Sequence, residues 1–450
     1  MSTLTVSMIV RDAETFLPGC LASVKPLSPE IVIADTGSTD RSMAIAEQFG
    51  ARVVRIPWNN DFAEARNRAL AEAHGEWILS LDADEQLDAT AAASLPALLQ
   101  NKNASGYQVP IRNYVTNTSE RIWDQAPKPN DALLATAAAY PAFVEHQNVR
   151  LFRRKPEIYF VGRVHESVGP RIKEIHGMLG RANFVIHHFG FAVDEATKAR
   201  KNELYREMGR KKIQEFPKDW QAFFELGLLE LEQYKNLTEA RTLFTRACEL
   251  NPSAGVAWFF LGLTIFRMGY FEDALNFLKQ ADHAGHRTAL VAETRGDALY
   301  NTGEFEEARS SYEAALKRGD GSGGVLAKLC LATVRTGKTE KGLTRLRNAL
   351  CAAPQTAELH EAQILALVFL NRIEDAAAAA EEKLSMVKGL LPGDYLRCAS
   401  LWAQVHNWPK ASRALERGLL AYPQKPELVR ALDEVFQASG SPTEQTASFK

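Results

Sequence analysis

Asp82 and Asp84 flank one alanine in Trp77-Ile78-Leu79-Ser80-Leu81-Asp82-Ala83-Asp84-Glu85, at the end of an apolar run. An extended backbone there would point both carboxylates to one side. Two carboxylates with a third acid close behind suit a hard divalent cation, and a diphosphate leaving group requires one. A second run, Ile31-Val32-Ile33-Ala34-Asp35-Thr36-Gly37-Ser38-Thr39-Asp40, delivers Asp35 beyond another apolar stretch. Gly37 permits a tight turn, and Ser38, Thr39 or Asp40 can cap the following helix. Asp35 is left to accept hydrogen bonds from a base or ribose. The plainer alternatives are turn chemistry for Asp35 and acids at a helix start for Asp82 and Asp84, since Asp88 also precedes an alanine-rich stretch. Between the two motifs, Asn60 or Asp61 can cap a helix that turns Phe62, Ala65 and Ala69 toward a sheet. Arg66 and Asn67 fall near its first turns, within reach of phosphate or base.

The elements that must position these residues alternate. Short runs at Thr5–Val10, Glu30–Ala34, Arg52–Ile56 and Glu76–Leu81 read as strands, and Ala13–Ser23, Thr39–Phe49, Phe62–Ala73 and Ala89–Leu99 read as helices. That order predicts a mostly parallel α/β sheet covered on both faces, with ligands beyond the carboxyl ends of its strands. Neither GxGxxG nor a Walker A sequence is present, so metal and basic side chains must hold any phosphate.

From Trp220 onward only helical periodicity remains, and it repeats. Small residues recur at Ala240, Ala274, Ala308, Gly342, Ala376 and Ala411, in steps of 34, 34, 34, 34 and 35. Seven positions later come Ala247, Ala281, Ala315, Ala349 and Gly418, with Lys383 breaking the series. A 34-residue step is the period of a two-helix tetratricopeptide unit, whose paired helices approach closely at small side chains. Gly269, Gly303 and Gly337 mark the turns. The expected organisation is an α/β domain over 1–215 including a linking helix, an all-α solenoid over 219–437 and a flexible tail over 438–450. The solenoid is read as a surface for an acceptor or partner, or as a scaffold for homo-oligomerisation.

Composition excludes other classes. Of 450 residues, 53 are Lys or Arg and 55 Asp or Glu, a balance that argues against a nucleic-acid binder. Five scattered cysteines without a CxxC pair indicate neither a disulfide framework nor a thiolate zinc site. The first residues lack a basic leader, and no apolar run reaches transmembrane length, so a cytoplasmic protein without a membrane span is expected.

Ser7-Met8-Ile9-Val10-Arg11-Asp12, the Asp35 motif, Asp61-Phe62-Ala63-Glu64-Ala65-Arg66-Asn67 and Asp82-Ala83-Asp84-Glu85 together resemble the nucleotide-sugar half of family 2 glycosyltransferases. The wording is similar to the lipopolysaccharide glucosyltransferase-like and peptide S-glycosyltransferase-like subgroup. The resemblance implies a GT-A fold, Asp35 on the base or ribose, and Asp82 and Asp84 on the diphosphate through magnesium or manganese. It also implies Arg66 holding the nucleotide, the Val10 backbone lining its pocket, and inverting transfer from a nucleotide sugar, UDP favoured.

Single displacement needs a general base on the acceptor side, which must be a carboxylate or imidazole. In Phe160-Val161-Gly162-Arg163-Val164-His165-Glu166-Ser167-Val168, Glu166 is expected to be that base, with His165 beside it as positioning group or alternative base. The alternative is that the pair merely satisfies itself at the sheet edge. In Phe184-Val185-Ile186-His187-His188-Phe189-Gly190 neighbouring histidines face opposite ways, so one reaches the site; His188 is preferred as a ligand of metal or diphosphate. Lys198, Arg200, Lys201, Arg206, Arg210, Lys211 and Lys212 form a basic run that either closes over the diphosphate or is a solvated helix face. The acceptor is expected to be a hydroxyl or thiol of a peptide, protein or saccharide. The competing functions are a nucleotide-sugar-binding adaptor without turnover and a nucleotidyltransferase.

Overall fold

The computed structural model describes residues 3–116, 127–164, 166–190, 195–319 and 322–440. The chain divides into two compact units, Met1–Leu229 and Glu230–Lys450.

The first unit runs β1 (Leu4–Val10), α1 (Leu17–Val24), β2 (Glu30–Asp35), α2 (Ser42–Gln48), β3 (Arg52–Arg55), α3 (Phe62–Ala71), β4 (Trp77–Ser80), β5 (Glu85–Leu87) and α4 (Ala89–Gln100). It continues through β6 (Ala104–Val115), β7 (Lys128–Pro129), β8 (Ala142–Arg153), α5 (Gly169–Glu174), β9 (Met178–Arg181), β10 (Ile186–His188) and α6 (Glu195–Glu215). The sheet order is β3-β2-β1-β4-β8-β6-β10-β5, with β7 on β8 and β9 on β6.

The four strands read from sequence are the parallel half, β3-β2-β1-β4. Beyond them the sheet is mixed, because β8 runs antiparallel to both β4 and β6 and, among the described residues, no crossover helix separates β6 from β8. Val6, Met8, Ile33, Trp77, Leu79, Leu151 and Ile186 share one apolar core on a single side of the sheet. Ile78, Phe152, Phe160 and Ile172 build a second on the other side.

One irregularity positions the site. Tyr107 pairs with Leu151 but Gln108 pairs with Val149, so Arg150 is an extra residue in β8. On an unbroken strand, residues three apart face opposite sides. Here Val149 and Phe152 share the second core, and the bulge leaves Arg150 free to point elsewhere.

Helix pairs fill the rest. Among the described residues Trp220–Glu232 is followed by twelve more helices ending at Pro426–Ser439. The helices Leu237–Leu250, Phe271–His283, Phe305–Lys317, Thr339–Ala352, Ile373–Met386 and Trp408–Ala421 carry the repeated small residues, and Ala240, Ala274, Ala308, Ala376 and Ala411 are fully buried. The out-of-register Lys383 is accommodated because its ammonium is paired, donating to Glu361 Oε2 at 3.0 Å and Asp394 Oδ1 at 2.6 Å.

The division at Leu229/Glu230 lies inside the Trp220–Glu232 helix rather than in the 216–219 gap. Lys212 Nζ of α6 donates to Glu225 Oε2 at 2.7 Å, and Gly209 lies against Leu226. The first solenoid-type helix therefore packs on the linking helix. No helix among the described residues is long and apolar enough to cross a membrane.

Candidate active site

The loops after β1 and β2 are latched to each other. Ser38 Oγ accepts from Asp12 N at 3.1 Å, Asp12 Oδ1 accepts from Thr39 N at 2.7 Å, and Ser42 Oγ accepts from Ala13 N at 2.7 Å. Asp40 supplies the helix-start contact, accepting from Ser42 N at 2.9 Å. Ser38 and Thr39 serve the latch instead. Asp35, 4% exposed, accepts from Ser38 N at 2.9 Å and borders a cavity of about 500 Å³ with Gly37, Ser38, Asp40, Met43, Arg55, Ile56 and Pro57. Val10 is in register with Asp35, and its carbonyl accepts from Thr36 N at 3.0 Å.

The acidic motif is a turn rather than an extended segment, closed by Glu85 N donating to Asp82 O at 3.0 Å. Its two aspartates consequently diverge to different partners. The helix-start alternative does not apply to them, since Asp88 caps α4 by accepting from Thr90 N and Ala91 N.

Asp82 lies between two arginines. Arg66 Nη2 reaches Asp82 Oδ1 at 2.6 Å, and Arg150 Nη2 reaches Asp82 Oδ2 at 3.1 Å. Burial works against charge on Asp82, but these guanidiniums outweigh it and hold the carboxyl well below its ordinary range. Arg66 is 6% exposed, donates Nη1 to Ser80 Oγ at 3.1 Å and Nε to Glu166 Oε1 at 2.5 Å. Arg150 also donates to Glu85 Oε1 at 2.8 Å, while its Nε is buried without a partner among the described residues. Glu85 is pushed up to about 7, by burial first, with Arg150 opposing and Asp82 adding to the rise.

Asp84 turns to β10, where its Oδ2 stands 3.4 Å from His188 Nε2. Burial disfavours the imidazolium of His188, yet the carboxylates of Asp84, Glu85 and Asp82 raise its pKa overall. Behind it, His188 Nδ1 meets Asn113 Oδ1 at 2.8 Å and Asn113 Nδ2 meets His146 Nδ1 at 2.9 Å. His187 faces the other way, into Tyr114 Oη at 2.7 Å and a stack with that ring. Gly190 is required here, because a Cβ would overlap Asp84 Oδ2 and lie 2.7 Å from His188 Nε2.

Among the described residues no three His, Cys, Asp or Glu side chains converge as a metal cage. The Asp84–His188 pair fits a cation shared with a substrate. Mg2+ commonly keeps waters and takes only one or two protein ligands beside phosphate oxygens, and the absence of a side chain at Gly190 is what lets Asp84 Oδ2 and His188 Nε2 approach each other. Asp82 would join such a cation only by giving up an arginine.

Asn67 is a correction. Expected on the nucleotide, its amide instead clamps the backbone of Phe160, accepting from Phe160 N at 2.8 Å and donating to Phe160 O at 2.9 Å. It fixes the segment leading to Glu166. His165 lies outside the described residues, as do 441–450 of the expected tail and the Lys198 side chain. In the basic run, Lys212 is committed to Glu225 and Lys211 to Glu207.

Several residues escaped the sequence reading: Arg150, Asn113, His146, Gly190 and Tyr205. A charged residue inside the apolar strand Val149-Arg150-Leu151-Phe152 was the available signal for Arg150. Tyr205 of α6 packs its ring 6.1 Å from Phe62, and its phenol is pushed up to about 12 by burial and by Glu166, Asp82 and Asp84.

Residues 5–158 match the model of glycosyl transferase family 2, and 195–255 and 235–336 match two tetratricopeptide repeat models. The chain carries a family 2 glycosyltransferase domain followed by tetratricopeptide repeats. It is 32% identical to a TPR repeat-containing protein of Synechococcus elongatus, over 52% of this chain and 53% of that one. It is 29% identical to an uncharacterized glycosyltransferase of Rickettsia conorii over 23% of this chain and 36% of the relative. With the lipopolysaccharide core biosynthesis glycosyltransferase of Rhizobium meliloti it shares 28% identity over 43% of this chain and 65% of the relative. The chain thus spans about half the length of the first relative and less than two thirds of the others. Within the family 2 domain, the matched region contains Asp35, Arg66, Asp82, Asp84, Asn113 and Arg150, and it ends before Glu166 and His188.

Proposed function

We propose that the family 2 domain transfers a sugar, with inversion, from a nucleotide sugar, UDP-linked by preference, to a hydroxyl or thiol of a peptide, protein or saccharide. The observation that carries this reading is the convergence of Asp82, Asp84, Arg66, Arg150, Glu166 and His188 from five separate chain segments onto one buried charged cluster. Asp35 and its cavity accept the nucleoside. Asp84 and His188 would hold Mn2+ or Mg2+, with Asp82 beside them, and the cation would supply neutralisation of charge on the departing diphosphate.

This chain's own groups do the rest. Arg150, whose buried Nε–H has no partner among the described residues, adds a donor for the diphosphate. Arg66 fixes Glu166 through one carboxylate oxygen, leaving the other to remove the acceptor proton. Tyr205 and Phe62 wall the cluster from α6 and α3 and limit water there. The repeats bind a macromolecular acceptor or a second copy of the chain, and the domain limits 1–215, 219–437 and 438–450 belong to this reading.

The test is release of nucleoside diphosphate from UDP-, GDP- and dTDP-sugars with and without Mn2+. Metal-dependent release from one donor, lost in Asp84→Ala, supports transfer. Pyrophosphate release from a nucleoside triphosphate would establish a nucleotidyltransferase instead, and donor binding without turnover an adaptor.

A further inference from the structure

The chain of groups behind His188 determines which of its nitrogens faces Asp84. Asn113 is 1% exposed and its amide orientation is fixed on one side. Its Nδ2 lies 3.4 Å from Val144 O and 3.5 Å from Ile111 O, both of which can only accept, and 2.9 Å from His146 Nδ1. The nitrogen must therefore be on that side, and the oxygen faces His188 Nδ1 at 2.8 Å. An oxygen acceptor there requires a proton on Nδ1. Neutral His188 then has its lone pair on Nε2, 3.4 Å from Asp84 Oδ2. Two acceptors facing each other repel until a proton or a cation stands between them.

We propose that Asn113 is a positioning residue that sets the tautomer and ring angle of His188, making Nε2 a preformed cation ligand, with His146 holding the Asn113 amide in place. The inference rests on the reading of Asp84 and His188 as the cation-holding pair and goes beyond it by assigning a task to two residues outside the acidic motif. β10 runs parallel to β6 with His188 in register with Asn113, so the contact is built into the sheet and not into a mobile loop. Groups that orient a ligating histidine typically change metal affinity about 10- to 100-fold when removed.

The test uses the full chain and Mn2+ alone, followed by electron paramagnetic resonance for affinity and by pulsed measurement of ¹⁴N modulation from a directly bound imidazole. The wild type should show ¹⁴N modulation that disappears in His188→Ala. Without that signal the cation-pair reading itself fails, and this proposal fails with it. Given that signal, Asn113→Leu, which removes the acceptor at similar volume, should weaken Mn2+ binding about 10-fold or more and lose the modulation. Asn113→Asp, which keeps an oxygen opposite Nδ1, should retain it. Wild-type affinity and modulation in Asn113→Leu overturn the proposal while leaving the cation pair standing. Loss of the modulation in a folded Asn113→Asp, checked by circular dichroism, also overturns it, and that arm remains decisive if the leucine variant does not fold.

Discussion

Asp82 and Glu166 are tied through a single guanidinium: Arg66 gives Nη2 to Asp82 Oδ1 at 2.6 Å and Nε to Glu166 Oε1 at 2.5 Å. The leaving-group side and the acceptor side of the proposed reaction are thereby held at a fixed offset by one planar, permanently charged group.

Arg66→Met should consequently be worse than loss of one contact. It takes the guanidinium from both carboxylates at once and leaves Asp82 with Arg150, and breaking buried pairs of this kind costs about 3–5 kcal/mol. Urea unfolding of the variant should show an early transition for the first unit and an unchanged helical one. Wild-type stability would mean that the cluster does not depend on this cation.

Glu166→Gln keeps the size and the Arg66 contact but removes the proton acceptor. Donor affinity should stay within about threefold of wild type while transfer falls about 100-fold or more, as expected on removing a general base. Transfer at the original rate would move the base elsewhere.

Glu30 offers a pH test away from the site. Its carboxylate accepts from Thr5 Oγ1, His74 N at 2.8 Å and the His74 ring. Burial alone would raise its pKa, but these hydrogen bonds outweigh burial and bring it down to about 2. A folded pKa below the unfolded one contributes stability above the unfolded value near 4.3, and that contribution is lost as pH falls from about 5 through the folded value of about 2. Wild type should exceed Glu30→Gln in stability at pH 7, by at most about 1 kcal/mol given partial exposure. The gap should narrow steadily as pH falls toward 2; a gap constant with pH would refute the linkage.

The solenoid turns give a fourth prediction. Lys235, Gly269, Gly303, Gly337, Asn371 and His406 all have φ between 53° and 90°, at the same 34- to 35-residue step. Three of the six are not glycine and bear the strain of a side chain in the left-handed region. Lys235 is exposed, so Lys235→Gly should stabilise the helical unit by about 0.5–1 kcal/mol in denaturant unfolding. A destabilised variant would show that the lysine side chain contributes more than its backbone costs.

The parallel half of the sheet and the repeat were legible because both rest on periodicity, and the four strands fall within a residue of their apolar runs. Asp35, Asp82 and Asp84 stand out in the sequence because they end those runs. What could not be read was direction within a turn: Asp82 and Asp84 look equivalent in sequence, yet one is given to arginines and the other to a histidine. Asn67 was misread because its helical position predicts reach but not that Phe160 would occupy both sides of its amide. Arg150 and Asn113 act through pairings between distant strands, and one sequence carries no trace of which strands will meet.

The extra residue at Arg150 makes chain length in β8 a chemical variable. Deleting one residue between Val149 and Phe152 would restore regular pairing with β6 and would look, by strand geometry, like a repair. Val149 and Phe152 would then stand two apart and stay on one face, so neither flank would be turned over. One position would then remain between them for two tasks, the Leu151 side chain buried in the first core and the Arg150 guanidinium on Asp82 and Glu85. Substitutions can be absorbed along this strand, whereas changes of length between these two residues cannot, so related chains that share the chemistry should vary in letters here and not in count.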